Sequence, residues 1–326
     1  MILVTGGAGY IGSVTVAMLR RQGEAVVVLD DCARGHAAAL PMDVPLVRGK
    51  VGDRALLAAL LQRHRIDACI HFAALAYVGE SVEKPGLYFQ NNVVEGLALL
   101  EGLLAAGVDQ LVFSSTCATY GQPEVVPIAE TEPQRPTHPY GWSKLMFEAA
   151  LRSYAGTSAL RFVSLRYFNA AGATTEHGDH HEPETHVIPL ALRAAAGTGP
   201  ALRVMGTDYP TDDGTAIRDY VHVLDLASAH LRALEHLRRG GASELLNLGT
   251  GRGTSVLDLV ATIERVTGRD LPRVMHAPRP GDPARLVARP DRAAAVLGWR
   301  AEHSSLEEIV ASAWAWSKAH PRGYSG

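Results

Sequence analysis

Thr5-Gly6-Gly7-Ala8-Gly9-Tyr10-Ile11-Gly12 separates a short β-branched run from a longer amphipathic stretch, and its reading decides the fold. Gly6, Gly9 and Gly12 suit a tight strand-to-helix turn. Such a turn lets the backbone approach a pyrophosphate, and the helix N-terminus behind it faces the negative charge. Any glycine-rich turn looks similar, so the flanks decide. Residues 2–5 read as a strand and residues 11–22 as a helix, which is the context a dinucleotide site requires. Asp30, followed by Asp31, ends the next strand-like run. An acidic side chain there hydrogen-bonds the ribose hydroxyls and repels a 2′-phosphate, selecting NAD over NADP. The plainer reading of both aspartates is a turn cap.

Working outward, strand-like runs over 2–5, 25–29, 44–48, 68–72, 111–115 and 161–166 alternate with helical patterns over 11–22, 54–64, 95–106 and 139–154. This is the β-α-β succession of an α/β fold, a Rossmann-type doubly wound parallel sheet. Past Asn169 the pattern gives way to a loop rich in His, Glu and Thr over 173–186 and then to short mixed elements. The expected division is an NAD-binding domain over 1–168 and a smaller C-terminal α/β substrate-binding domain over 169–326. Strands over 221–223 and 245–248 flank a helix over 225–237, so segments near 215–250 are candidates to rejoin the first sheet.

With 47% hydrophobic and 20% charged residues in 326, the chain can bury a large core. Its net charge of -3 and scattered Lys and Arg offer no field for nucleic acid, and no apolar run is long enough to span a bilayer. Cys32, Cys69 and Cys117 are odd in number and lack C-x-x-C spacing, which argues against disulfides and zinc thiolates and fits a cytoplasmic location. Met1 leads directly into the first strand without a basic leader.

Tyr140-Gly-Trp-Ser-Lys144 places a phenol and an ammonium on one helical face. A phenol is a poor base near neutrality unless a positive charge favours its anion, which Lys144 is placed to supply. With the glycine turn and Asp30, this pair makes the chain resemble the extended short-chain dehydrogenase/reductase family, whose motifs are T-G-x-x-G-x-x-G and Y-x-x-x-K. The resemblance narrows to UDP-glucose 4-epimerases through His71-Phe-Ala-Ala74, Val78-Gly-Glu-Ser81, Phe113-Ser-Ser-Thr116 and Leu165-Arg-Tyr-Phe-Asn169. Its most specific part is Asp213-Gly-Thr-Ala-Ile-Arg-Asp-Tyr-Val-His-Val223, and it covers essentially the whole chain to His320-Pro-Arg-Gly-Tyr324.

The resemblance implies that Tyr140 removes the sugar 4-hydroxyl proton while hydride leaves C4 for NAD. It gives Thr116 a bridging hydroxyl, and Lys144 a hold on the nicotinamide ribose. It adds Tyr10, Ile11, Val51, Phe72, Ala73, Asn91, Tyr167 and Phe168 to the cofactor site. Asn169, His186, Val187, Arg218, Tyr220, Arg279, Asp282 and Leu286 fall to the UDP-sugar, and a homodimer is implied through helices of the first domain. Thr116 also reads as a strand-end hydroxyl bonded to backbone, and Cys117 as a small buried thiol. His177, His180 and His181 show no ligand motif and read as a solvated loop, so no metal is expected.

Three positions depart from the pattern. Lys50 stands where an Asp commonly meets the adenine amine, Ala76 replaces a frequent lysine, and Leu286 faces the sugar where Tyr goes with strict hexose use and smaller residues with N-acetyl tolerance. The resemblance therefore leaves open a UDP-N-acetylhexosamine, UDP-pentose or UDP-uronate as substrate. A 4,6-dehydratase needs an acid and base after Thr116, where this chain has Cys117-Ala118. A non-catalytic nucleotide-binding protein would not need Thr116, Tyr140 and Lys144 together.

Overall fold

The computed structural model describes residues 1–279 and 281–324. Strands β1 (Ile2–Thr5), β2 (Val26–Asp30), β3 (Leu46–Arg48), β4 (Ala68–His71), β5 (Gln110–Thr116) and β6 (Arg161–Tyr167) join Glu244–Leu248 in a seven-stranded sheet. The order is Glu244–Leu248, β6, β5, β4, β1, β2, β3, and every pairing is parallel. The chain winds out through β2 and β3, then crosses back to β4 and winds the other way. That reversal opens a crevice beyond the C-terminal ends of β1 and β4, where sheets of this kind bind their ligands. The Rossmann-type doubly wound sheet expected from the sequence is present.

Alternation along the strands builds two cores. Ile2 and Val4 pack with Val28, Ile70 and Leu226 on one face, whereas Leu3 packs with Val27, Leu29, Phe113 and Phe147 on the other. Helices Tyr10–Arg21 and Val223–Arg238 cover the first face, and Arg54–Arg63, Gly96–Ala105 and Pro139–Ala155 the second. Burial of each such side chain contributes roughly 1.5–3 kcal/mol. Strands buried on both faces need apolar residues at every position, so they read as continuous β-branched runs.

The differences from the sequence reading have local causes. The strand expected over 44–48 begins at Leu46, because Pro45 has no N–H and takes part only through its carbonyl, which accepts from the Val28 N–H at 2.9 Å. The helix expected from residue 225 begins at Val223, because His222 caps it: its Nδ1 accepts the Leu224 N–H at 3.1 Å. Before Gly96–Ala105 lie two short helices, Val78–Glu83 and Pro85–Phe89, and a wide π-turn, Gln90–Glu95, none foreseen.

Beyond β6, Asn169–Ala171 pairs in parallel with Tyr220–His222. Ile188, Leu192, Leu202, Val204, Leu259 and Ile309 belong to a third core there. Among the described residues, no helix is long and apolar enough to cross a membrane.

Candidate active site

The helix that carries Tyr140 is started by His138, whose Nδ1 accepts the Gly141 N–H at 3.2 Å, and by Pro139, which has no N–H to leave unpaired. Gly141 lets this helix press on the turn after β5: a Cβ there would lie 2.6 Å from the Ala118 carbonyl oxygen. The approach sets Tyr140 beside Thr116, the last residue of β5. Burial pushes the Tyr140 phenol up to about 12, the Thr116 hydroxyl pulls it down, and Cys117 adds a smaller upward push. Thr116 Oγ1 also accepts the Ala118 N–H at 3.1 Å. The two readings of Thr116 are thus compatible, since an oxygen that accepts from backbone still has its own O–H to donate.

Lys144, one turn along, is 3% exposed. Its Nζ donates to the Ser114 carbonyl at 2.8 Å and lies 4.8 Å from the centre of the Phe113 ring. Burial pushes its ammonium down to about 7, opposed by the Glu148 carboxylate. The group that opposes burial at the Tyr140 phenol is therefore the Thr116 hydroxyl, while the charge partner of Lys144 is Glu148.

Glu148 is a residue the sequence reading missed. It forms a buried bidentate pair with Arg166, with Nη2 donating to Oε2 at 2.6 Å and Nε to Oε1 at 2.9 Å. Ser115 and Ser164 hydroxyls donate to Oε1 at 2.6 and 2.8 Å, and Arg166 Nη1 donates to the Tyr120 hydroxyl at 2.9 Å. The network ties β5, β6 and the Tyr140 helix together behind the site. The available signal was helical spacing: Glu148 continues the face of Tyr140 and Lys144 by one more turn.

At the switch point Gly6 has φ +69°, and a Cβ there would run into the Ala73 backbone, 2.7 Å from its Cα. Gly12 likewise packs on Gly7, where a Cβ would sit 2.9 Å from the Cα. Gly9 differs: a Cβ would meet only the Gly6 carbonyl oxygen, at 3.3 Å. The protein's own packing constrains Gly9 less than Gly6 or Gly12 and leaves its backbone open to close approach by a ligand. The helix behind it has no side-chain cap and no acid in its first turn, which fits a pyrophosphate.

Asp30 is buried at the end of β2, with Oδ2 accepting the Ala8 N–H at 2.9 Å and Oδ1 the Cys32 N–H at 2.8 Å. Burial raises its carboxyl above the usual range, and those two amides pull it back. Asp31 is exposed and caps the next turn through the Ala33 N–H. Tyr10 and Ile11 open the helix, and the Tyr10 hydroxyl donates to the Gly172 carbonyl at 2.5 Å. Phe72 packs on His230, with ring centres 4.5 Å apart. Val51 sits in the second core, Asn91 donates to Asn92 at 2.9 Å, and Tyr167 bonds Ser114 through its hydroxyl. Lys50, one of the three departures, pairs with Glu95 at 3.4 Å.

Of the residues expected at the substrate, Arg218 and Asp282 pair with each other at 2.6 Å. Leu286 lies in register with Arg218 and packs with Cys117 and Phe168, so it does reach the neighbourhood of Thr116. Cys117 is buried and its thiol is pushed up to about 12 by burial. Asn169, Tyr220, His186 and Val187 line a cleft of about 710 Å³ together with Tyr10. Arg279 is exposed, its carbonyl accepting the Asp282 N–H at 3.2 Å. Asp219, inside the long signature, is a buried tie: it accepts from the Thr250, Gly251 and Ala288 N–H groups at 2.9–3.1 Å.

The loop over 173–186 is not simply solvated. His177 is buried with Nε2 at 3.0 Å from the Ala39 carbonyl, and His180 stacks on His36 with ring centres 4.7 Å apart. His181 and His186 instead meet Asp179 and Glu184. A backbone carbonyl and an imidazole ring from the first half of the chain hold this polar loop inward, a long-range effect that its composition does not show.

Comparison with known proteins adds identity to this geometry. Residues 2–249 match the NAD dependent epimerase/dehydratase family. The chain is 48% identical to a UDP-glucose 4-epimerase of Halalkalibacterium halodurans, covering 99% of this chain and 97% of that one. A crystal structure of UDP-glucose 4-epimerase from Brucella ovis in complex with NAD superposes with a TM-score of 0.93 at 48% identity, over 96% of this chain and 97% of the other. One from Stenotrophomonas maltophila with bound NAD and formylated UDP-arabinopyranose gives 0.95 at 42% identity, over 98% of each.

Proposed function

The chain belongs to the NAD dependent epimerase/dehydratase family, and from that premise we propose that it interconverts the C4 epimers of a UDP-hexose, UDP-glucose and UDP-galactose, with NAD as cofactor. The observation that carries the reading is the close seating of the Tyr140 helix on the end of β5, where Gly141 presses on Ala118 just past Thr116 and the Lys144 ammonium donates to the Ser114 carbonyl at 2.8 Å. Bound NAD supplies the hydride acceptor and donor for sugar C4. Tyr140 takes the 4-hydroxyl proton and returns it after the ketone has turned over, and Thr116 relays between that hydroxyl and the phenol. Lys144, fixed by Ser114, holds the nicotinamide ribose. The glycine turn and Asp30 hold the dinucleotide, with Tyr10, Ile11, Asp31, Val51, Phe72, Ala73, Asn91, Tyr167 and Phe168 as further contacts. Residues 1–168, with segments near 215–250 such as Glu244–Leu248 rejoining their sheet, form the NAD-binding domain, and the remainder forms the sugar-nucleotide domain.

Arg218, in its pair with Asp282, is suited to the diphosphate because its fork can donate two charge-assisted bonds. Arg279, Asn169, Tyr220, His186 and Val187 complete the UDP side. Dehydration is disfavoured: the residue after Thr116 is a buried thiol of raised pKa, and the next is Ala118. Leu286 supports a second activity on UDP-N-acetylhexosamines, since it leaves the sugar pocket without a tyrosine ring. A homodimer is supported by exposed Val82, Leu87, Val94, Trp142 and Met146 on helices flanking the site. Light scattering should give twice the chain mass; a monomer at micromolar concentration contradicts the dimer.

UDP-galactose deuterated at C4 tests the reaction. Without added reductant it should yield UDP-glucose that keeps the deuterium. Loss of the label to solvent, or no 4-epimer, rules the reading out.

A further inference from the structure

We infer that Asp179, His181, Glu184 and His186 form a binding site for one divalent first-row transition cation of the zinc class. Each residue offers one donor atom, and these atoms all lie within 4.8 Å of one another. His186 Nδ1 is 3.1 Å from both Asp179 Oδ2 and Glu184 Oε1, and His181 Nδ1 meets Asp179 Oδ1. The second observation is Glu184 itself: its side chain is 1% exposed, and its Oε2 is buried with no hydrogen-bond partner among the described residues. A buried carboxylate oxygen left unpaired is costly. Protonated imidazoles alone do not remove that cost, because His186 addresses Oε1, which already accepts the Thr185 and His186 N–H groups at 2.8 Å. A cation among the four side chains would pair with the Glu184 carboxylate and offset its burial.

Two imidazole nitrogens with two carboxylates and no thiolate are a donor set for zinc or its neighbours, and a poor one for magnesium or calcium. All four come from the loop that leads into the helix Val187–Ala196, with the spacing Asp-x-His-x-x-Glu-x-His. The loop is anchored independently, by Arg34 Nη1 donating to the Glu182 carbonyl at 2.8 Å and by His36 Nε2 at 2.9 Å from the His180 carbonyl. The cation's role is to fix His186, which precedes that helix and lines the cleft with Asn169 and Tyr220. Ligation through Nδ1 leaves Nε2 to face a ligand. The binding claim does not depend on the reaction assigned above.

The test uses the full chain without a histidine tag, stripped with a chelator and titrated with zinc chloride by calorimetry, with metal content measured after gel filtration. About one equivalent of zinc per chain is expected, undisturbed by millimolar magnesium, and cobalt(II) in its place should show ligand-field bands in the visible. His181→Ala and Glu184→Gln should each weaken zinc binding by about 100-fold or more. Glu184→Gln is nearly isosteric, so it decides the matter if His181→Ala fails to fold. Wild-type protein that takes up no zinc, or a Glu184→Gln variant that binds it as the wild type does, overturns the inference.

Discussion

The Lys144 ammonium donates to the Ser114 carbonyl at 2.8 Å, so the strand that ends in Thr116 also fixes the lysine one turn beyond Tyr140. Three groups of the proposed chemistry thereby share one support. Holding an ammonium there has a consequence for stability. Its pKa falls from 10.5 to about 7 on folding. Between those values the unfolded chain carries a proton that the folded chain lacks, so stability rises with pH across the window and flattens below it. Lys144→Met should abolish that part of the slope, read as the difference between variant and wild type in urea midpoints of cofactor-free protein at several pH values. It should also lower kcat by about 100-fold or more. Equal slopes in the two proteins contradict the assignment.

Removing one partner of the buried Glu148 and Arg166 pair leaves the other charged and alone. Arg166→Met is expected to cost about 3–5 kcal/mol in chemical denaturation, and the double change Glu148→Met, Arg166→Met less than the single one. A double variant less stable than either single would show that the pair itself is strongly stabilising.

Asp30 holds the Ala8 and Cys32 amides with its two oxygens, and its charge is assigned the task of excluding a 2′-phosphate. Asp30→Asn keeps an acceptor and removes the charge. The preference for NAD over NADP, measured as a ratio of dissociation constants, should fall by about 10-fold or more. An unchanged ratio places the discrimination elsewhere.

Leu286 packs with Cys117 and Phe168 beside the proposed sugar position. The wild-type protein should epimerise UDP-N-acetylglucosamine measurably. Leu286→Tyr should suppress that activity and leave UDP-galactose turnover within a few-fold. Wild-type turnover of the N-acetyl sugar no greater than a blank removes this second activity.

Legibility followed the range of the physics involved. Gly6, Gly12 and the apolar strands announce themselves because their demands are local: φ, close approach and alternation. Tyr140 and Thr116 meet, as expected from their motifs, but the reason is Gly141, whose role as a contact surface for Ala118 cannot be seen in a helical pattern. Glu148 was readable by extending one helical face and was overlooked. The Asp219 tie, the inward packing of His177 and the gathering of Asp179, His181, Glu184 and His186 depend on partners distant in sequence or on a loop without periodicity. Such features appear only once the chain is folded.

The central claim is that the Tyr140 phenol moves the proton of the sugar 4-hydroxyl, and Tyr140→Phe tests it most directly. The measurement is kcat for conversion of UDP-galactose to UDP-glucose, alongside NAD content and UDP-sugar affinity. The account predicts a fall in kcat of about 10²–10⁴-fold with both bindings retained. A variant that binds both ligands and turns over within about two-fold of the wild type would contradict it.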